Sequence, residues 1–285
     1  MKPRELNFEG TSPLLYLIAT PIGNLSEMTP RALEVLKATD YIAAEDTRNS
    51  GQLMAHFAID KPFISCHEHN EEAASEKIVA LLQQGKKVCY MSDAGYPTLS
   101  DPGERLVAKC LENGIKVSVT SGPSAAIDAL AVSGLPSDHF YFEGFLPAKA
   151  SERDAELLAL SSRLETIIFY ESPHRIKDTL TALARVLGPR QAIIARELTK
   201  AHEEIIRGSL DEFVSLDEET LRGEMVILVS GATPKASELS ENDITSLLKS
   251  KIKAGKSSKD AIGEIAKENG LPKNAVYQIY LKNVK

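Results

Sequence analysis

ATPIGNLSEMTPRALEVLK, the sequence of residues 19–37, directly follows an apolar run at residues 14–18. The run predicts a buried strand, and Thr29 followed by Pro30 is typical of the start of a helix. The turn between them contains Gly23, which permits close approach of a ligand to the backbone. The turn lacks the glycine spacing of both common phosphate-binding loops, G-x-G-x-x-G and G-x-x-x-x-G-K-[ST]. The stretch therefore predicts a strand, a turn and a helix, in which the turn either contacts a ligand or is only a tight connection.

The same alternation continues through the first half of the chain. Residues 41–44, 88–91 and 117–119 predict further strands, and residues 70–84 and 101–114 predict helices between them. Strands that alternate with helices usually form a parallel sheet. We therefore predict a mostly parallel α/β domain.

The second half has a different pattern of predicted elements, with five strands but only one long helix, at residues 172–187. The predicted strands are residues 140–142, 166–170, 192–195, 204–207 and 225–229. Several of these strands follow one another without an intervening helix. This half is therefore expected to contain a mixed sheet.

A lysine-rich tail follows a predicted linker at residues 231–235. Residues 240–285 contain nine Lys and five Asp or Glu, a charge of +4, so the net charge of -7 leaves -11 on the first 239 residues. Three short helical patterns in the tail have helix-turn-helix spacing. The tail is either a contact for RNA or a solubilising face. The predicted domains are residues 1–121, 122–233 and 240–285.

Composition argues against several classes of protein. Cys66, Cys89 and Cys110 lie far apart and without zinc-type partners, so no metal site is predicted, and the last two are expected to be buried thiols. No apolar run approaches the roughly 20 residues of a membrane span, and residues 1–7 have no signal-peptide core behind them. We therefore expect a cytoplasmic protein with no membrane partner.

Four loops after the strands of the first half are rich in small and charged residues. They span residues 20–24, 43–48, 92–103 and 120–126. Ligands of open α/β sheets bind beyond the carboxyl ends of the strands, so the loops are expected to converge on one crevice. Asp101 and Pro102 are explained by capping of the next helix, whereas Asp93 and Gly95 are expected to contact a ligand. Solvated charges and a capped helix are the plainer explanations for the second and fourth loops.

Seven blocks of the sequence, taken in order, resemble one family. They read LYLIATPIGNLSEMTPRALEVL, AAEDTRNSGQL, HEHNE, SDAGYPTLSDPG, SGPSAAIDALAVSGL, FYESPHRI and ARELTKAHEEIIRG. Over residues 13–231 the chain resembles the tetrapyrrole-methylase superfamily, the class III methyltransferases that use S-adenosylmethionine. The closest resemblance is to the branch that methylates ribosomal RNA, because the relatives that methylate corrins typically have a glycine-rich first loop and a G-D-P third loop. The tail resembles the helix-turn-helix extension of the same branch.

The resemblance implies a fold, a cofactor and a substrate. Two α/β domains are expected to form a cleft for S-adenosylmethionine, with a small helical module behind them and no metal. The implied substrate is the ribose 2′-hydroxyl of a decoding-site cytidine in the 16S rRNA of the small ribosomal subunit, and the implied assembly is a homodimer. The positions that match cofactor contacts are Pro21, Gly23, Asp93, Gly95, Ser121, Gly122, Ser124, Ala125 and Tyr170.

A base is expected near the acceptor, because a ribose hydroxyl is a poor nucleophile while it is protonated. We rank Asp46 first, and the other candidate catalytic residues are Glu45, Arg48 and His67. Glu203 is a more distant candidate for the same role. The side chains expected to contact RNA are Arg175, Arg196, Lys200 and Lys149.

Two other functions stay open from the sequence. One is methylation of a corrin or a related macrocycle, which predicts that removal of residues 240–285 leaves activity intact. The other is a non-catalytic RNA-binding assembly factor, which predicts RNA binding without affinity for S-adenosylmethionine.

Overall fold

The structure, a computed structural model, describes residues 6–7, 13–217, 221–233 and 239–284. It divides into two compact units, Met1–Gly231 and Ala232–Lys285. The predicted linker at residues 231–235 falls at this division, although residues 234 and 235 lie outside the described part. The expectation of no signal-peptide core was drawn from residues 1–7, and residues 1–5 also lie outside the described part of the chain.

The first half of the larger unit is a five-stranded sheet with the strand order β3-β2-β4-β1-β5. All of its strand pairs are parallel, as predicted. Every residue of the central strand β4 is buried, which explains the unbroken apolar run there. The elements are β1 (Leu14–Ile18), α1 (Pro30–Ala38), β2 (Tyr41–Ala44), α2 (Thr47–His56), β3 (Phe63–Ser65), α3 (Glu71–Gln83), β4 (Val88–Met91), α4 (Glu104–Glu112) and β5 (Lys116–Thr120), with a short 3-10 helix at Leu25–Glu27.

The second half of the larger unit is a mixed sheet with the order β6-β7-β10-β8-β9. Only β6 and β7 are parallel, and the other pairs are antiparallel, which confirms the predicted mixed sheet. The elements are α5 (Ala125–Ser133), β6 (Phe140–Phe145), α6 (Ala150–Leu160), β7 (Thr166–Glu171), α7 (Ile176–Leu187), β8 (Gln191–Arg196), β9 (Glu204–Ser209), α8 (Leu210–Val214) and β10 (Met225–Val229).

Helix α5 leads from the first sheet into the second half. Its small residues Ala126 and Ala129 pack with Leu130 against Ile168 of β7 and Val226 of β10. Small side chains permit this close packing of a helix on a sheet. The start of α5 therefore lies where the carboxyl end of β5 meets the second sheet.

Four elements of the larger unit escaped the sequence prediction, namely α2, β3, α6 and α8. The prediction of only one long helix among the later strands was wrong, because α6 also lies there. Helix α6 buries only Leu157 and Leu160, so its apolar periodicity is weak. Strand β3 has only three residues, which is short for detection by alternation.

The start of α4 also differs from the prediction. The helix begins at Glu104 with Gly103 as its N-cap, so Asp101 does not cap it. The buried carboxylate of Glu71 in α3 does so instead, because its Oε1 accepts hydrogen bonds from the N–H groups of Gly103 at 3.0 Å and Leu106 at 3.2 Å. Asn70, at the N-cap position of α3, does not cap that helix with its side chain, because its Oδ1 accepts a hydrogen bond from His67 N at 2.8 Å.

The smaller unit consists of α9 (Glu241–Lys253), α10 (Ser258–Glu268) and α11 (Lys273–Asn283), which confirms the three predicted helices. They surround a separate core that includes Ile244, Leu248, Ile265 and Val276.

The three cysteine side chains lie in the core of the larger unit. Cys89 and Cys110 are buried as predicted, and Cys66 is buried as well. Burial raises the pKa of each thiol to about 12, so all three stay protonated at neutral pH.

Among the described residues no helix is both long and apolar enough to cross a membrane.

Candidate active site

The loops that follow β1, β2, β4 and β5 meet at the carboxyl edge of the first sheet. Thr20 and Gly95 exchange two backbone hydrogen bonds of 2.9 and 3.0 Å, which join the first loop to the third. Asn49 in α2 donates to Asp93 at 2.9 Å, and the N–H of Gly122 donates to the Tyr96 hydroxyl at 3.1 Å. The four loops therefore form one crevice, as predicted from their positions after parallel strands.

Two glycines of this crevice are explained by its backbone geometry. Gly95 has a φ of +71°, a conformation that favours glycine, and this conformation turns its backbone toward Thr20. Gly23 is covered by the stem of Lys200, so that a Cβ at Gly23 would lie 2.5 Å from Lys200 Cγ. Lys200 thus connects the first loop to the second sheet.

Aromatic side chains of the second sheet form the opposite wall. The ring of Tyr170 lies edge-on to Phe142 and Phe145, with centroid separations of 5.0 and 5.6 Å. Burial raises the pKa of Tyr170, against a hydrogen bond from the N–H of Ala126 at the start of α5, and the nearby Asp101 raises it further. Tyr170 therefore faces the third and fourth loops, and Phe145, with 53% of its surface exposed, lies at the outer edge of this wall.

Asp46, the residue ranked first as a base, is engaged in structural contacts. Its Oδ1 accepts from Arg48 N at 2.8 Å and so caps α2. The Arg48 guanidinium donates to both carboxylate oxygens, at 3.0 and 2.6 Å. These hydrogen bonds from Arg48 lower the pKa of Asp46 to about 2, which makes it a weak proton acceptor at neutral pH.

Two other carboxyl groups of the crevice, those of Glu45 and Asp101, have pKa values above their usual range. Burial, and next the charge of Asp93, raise the pKa of Glu45. Burial, and next the charge of Glu45, raise the pKa of Asp101 to about 7, against an opposing hydrogen bond from Ser92. Carboxylates that share a partly buried site disfavour one another's ionisation. Glu45, Asp93 and Asp101 therefore form an acidic cluster, in which the raised pKa of Asp101 leaves that residue partly protonated near neutral pH.

Two buried polar atoms next to the crevice have no hydrogen-bond partner among the described residues. One is Nδ1 of His67, a predicted catalytic residue whose charge also acts on Glu45. The other is Oγ1 of Thr120, at the end of β5. Buried polar atoms normally have a partner, so these two atoms suit a polar ligand in the crevice.

The four predicted RNA-binding side chains all have partners within the protein. Lys149 pairs with Glu152 at 2.9 Å, and Lys200 pairs with Glu197 and Glu224. Arg196 pairs with Glu204 at 2.5 Å, and Arg175 donates to the carbonyl oxygens of Leu146 and Pro147. Their contact with RNA stays a prediction that requires exchange of these partners.

The sequence prediction missed three residues of the crevice. Asp101 was assigned to helix capping, because an Asp-Pro pair before a helix is typical of a cap. Asn49 and Tyr96, which hold Asp93 and Gly122, gave no signal, since hydrogen bonds between loops distant in sequence follow no local pattern.

Comparison with known proteins identifies the family. The sequence profile of the tetrapyrrole (corrin/porphyrin) methylases matches residues 14–214. The protein of Bacillus subtilis (strain 168) named ribosomal RNA small subunit methyltransferase I is 42% identical, and the match covers 98% of this chain and 99% of that protein. The Escherichia coli O157:H7 protein of the same name is 44% identical, with 94% of each chain covered. The chain belongs to the ribosomal RNA small subunit methyltransferase I branch of the tetrapyrrole methylase family.

Members of the wider family with solved structures share the fold. The uroporphyrin-III-C-methyltransferase of Thermus thermophilus has a TM-score of 0.56 at 19% identity, and the match covers 76% of this chain and 94% of that chain. The methyltransferase CobJ has a TM-score of 0.59 at 19% identity, with 78% and 95% covered. These likenesses confirm the predicted two-domain tetrapyrrole-methylase fold and carry no information about the substrate.

Proposed function

We propose that this chain transfers a methyl group from S-adenosylmethionine to the ribose 2′-hydroxyl of a decoding-site cytidine in the 16S rRNA of the small ribosomal subunit. The observation that carries the proposal is identity of 42% and 44% to proteins named for ribosomal RNA methylation, over nearly the whole chain. The first and third loops, TPIGN and SDAG, differ from the pattern expected of corrin-methylating relatives.

The crevice has groups that suit S-adenosylmethionine. Within the proposal, backbone groups of Pro21, Gly23 and Gly95 contact the cofactor, and so do those of the stretch from Ser121 and Gly122 to Ser124 and Ala125. The unpaired hydroxyl of Thr120 and the carboxylate of Asp93 are hydrogen-bonding groups for a nucleoside, and Tyr170 provides an aromatic wall. When bound there, the cofactor supplies the electrophilic methyl group.

The protein's part in the reaction is to align the acceptor and to remove its proton. The acceptor oxygen must approach in line with the methyl carbon and sulfur, so that the new O–C bond forms as the C–S bond breaks. Within the proposal Asp101 accepts the proton of the 2′-hydroxyl, because its pKa of about 7 matches neutral pH far better than that of Asp46. Burial, and next the charge of Glu45, keep the pKa of Asp101 high, and Arg48 orders the second loop through Asp46.

The experiment is transfer of labelled methyl from S-adenosylmethionine to small ribosomal subunits purified from cells that lack this methylation. Naked 16S rRNA is the comparison substrate, and nucleoside analysis identifies the product. Recovery of label as 2′-O-methylcytidine at the decoding site supports the proposal.

Two outcomes would contradict it. Cofactor binding without label in either RNA substrate would favour a macrocycle as the acceptor. RNA binding without any affinity for S-adenosylmethionine would favour a non-catalytic assembly factor. A homodimer and a cytoplasmic location belong to the same proposal, and measurement of mass in solution tests the former.

A further inference from the structure

The acidic side chains of residues 240–285 are paired with lysines or with the serines that cap two of the helices. Glu264 pairs with Lys251 and Lys256, and Glu268 pairs with Lys251, so these charges are neutralised between α9 and α10. Of the other acids, Glu241 pairs with Lys282 at 2.8 Å. Asp243 and Asp260 accept from the serine hydroxyls that begin α9 and α10. The five acids of residues 240–285 thus all have partners other than Lys259 and Lys273, the two lysines of the groove between α10 and α11.

That groove has a volume of about 550 Å³ and an unbalanced positive charge. Lys259 of α10 and Lys273 of α11 lie along it, and within the described residues neither ammonium has a carboxylate partner. Lys273 extends across Gly263 of α10, since a Cβ at Gly263 would lie 3.7 Å from Lys273 Nζ. Both cations are therefore held at the groove and available to an anionic ligand.

The floor of the groove is aromatic. Tyr280 is fixed by a 2.9 Å hydrogen bond between its hydroxyl and that of Ser258. Tyr277 lies one helical turn from Lys273 and keeps 44% of its surface exposed. A solvent-exposed ring beside unpaired cations suits stacking of a base next to its phosphates.

We propose that the groove between α10 and α11 binds RNA, with Lys259 and Lys273 on phosphates and Tyr277 stacked on an unpaired base. Helix α9 has exposed lysines but no aromatic side chain on which a base could stack, so it is not the RNA contact. This inference depends on the proposed function only for the identity of the RNA that is bound. Charge complementarity favours RNA over an apolar partner, and the exposed ring favours it over a simple anion.

The test compares two double variants of the full-length chain that remove the same charge. Lys259→Gln with Lys273→Gln alters the groove, whereas Lys249→Gln with Lys253→Gln alters exposed lysines of α9 that form no ion pair among the described residues. Binding to a 16S rRNA fragment that contains the decoding site is measured by filter retention at several salt concentrations. We expect the groove variant to bind about 10-fold more weakly or worse, and its salt slope to fall by about 1.4–1.8, the value for two lost phosphate contacts.

Tyr277 provides a second measurement that does not change the charge. Tyr277→Ala is expected to weaken binding about 5-fold to 100-fold, whereas Tyr277→Phe, which keeps a ring for stacking, retains the affinity. Thermal unfolding of each variant verifies that the unit is folded. Equal losses in both lysine variants, no loss in either, or the same loss with Phe as with Ala would overturn the inference.

The failure of this inference is distinguishable from failure of the proposed function. If the original chain methylates small subunits while the groove and control variants bind RNA alike, the groove is not the RNA contact and the proposed function stands. If RNA binding depends on the groove but no methyl is transferred, the groove inference stands and the proposed function fails.

Discussion

Asp46 and Asp101 are carboxylates of the same crevice, and their surroundings shift their pKa values in opposite directions. Hydrogen bonds from Arg48 hold the pKa of Asp46 at about 2. Burial and the charge of Glu45 raise that of Asp101 to about 7. A group that accepts a proton during turnover works best when its pKa lies near the working pH. At the scale of the residue, this difference separates a side chain that orders a loop from one suited to proton transfer.

The first prediction concerns the pH dependence of methyl transfer. The base must be ionised, so kcat should rise with pH through about 7 and level off above it. Asp101→Asn should lower kcat by about 100-fold or more and remove this limb, while Asp46→Asn should keep the limb. Single-turnover rates from pH 5.5 to 9 give the profile. A profile for Asp101→Asn with the same limb would assign the proton to another group.

The second prediction concerns stability at the same residue. The folded-state pKa of Asp101 is raised from 3.8 to about 7, so the folded state binds the proton more tightly and its contribution to stability is lost as pH rises through that range. Asp101→Asn cannot lose this proton. The variant should therefore gain in thermal midpoint over the original chain at pH 8, and less so at pH 4. Thermal scans at both pH values check this, and an equal difference at the two would contradict it.

At the scale of the element, the start of α4 depends on a carboxylate from another helix. Glu71 is only 6% exposed and satisfies two N–H groups of the first turn of α4. This contact fixes the end of the third loop, which contains Asp93, Gly95 and Asp101. Packing of α3 on α4 therefore helps to position the acidic cluster.

The third prediction tests that contact. Glu71→Ala leaves two buried N–H groups without an acceptor and should lower the free energy of unfolding by about 2–4 kcal/mol. The neighbouring Glu72 forms an exposed ion pair with Lys109, and Glu72→Ala should lower the free energy of unfolding far less. Urea unfolding of both variants provides the measurement. Similar losses in the two would refute the capping role of Glu71.

At the scale of the whole molecule, charge is divided between the two units. Residues 240–285 carry +4 and the first 239 residues carry -11, so the chain as a whole is acidic although its proposed substrate is RNA. The predicted RNA cations of the larger unit are paired internally, whereas Lys259 and Lys273 of the smaller unit have no carboxylate partner in the part of the chain that the structure describes. The smaller unit is therefore expected to supply much of the attraction to RNA.

The fourth prediction follows from this division. A chain that ends at residue 233 keeps both sheets and their cores, so its affinity for S-adenosylmethionine should change by less than about twofold. Its kcat/KM on small subunits at 0.15 M salt should fall by about 10-fold or more, because phosphate contacts are lost. Calorimetry of cofactor binding and labelled-methyl transfer measure the two effects. Undiminished kcat/KM would favour a small acceptor such as a macrocycle.

The sequence by itself determined the parallel first sheet, the mixed second sheet and the family. Strands such as β4 are apolar at every position, and the loops that follow the strands carry recognisable local patterns. These patterns involve residues that are close together in the sequence, so they can be recognised without the structure. The convergence of the four loops also followed from sequence, because parallel strands bring their carboxyl ends to one edge.

Only the tertiary structure decided the chemistry of individual side chains. Asp101 lies 56 positions from Glu45, and Gly103 lies 32 from Glu71, yet each pair interacts directly. A pKa depends on burial and on nearby charges, and an ion pair depends on which carboxylate the fold places beside a lysine. Sequence alone therefore assigned Asp101 to helix capping and gave no sign of the carboxylates that pair with Lys200, because it shows the type of a side chain and not what surrounds it.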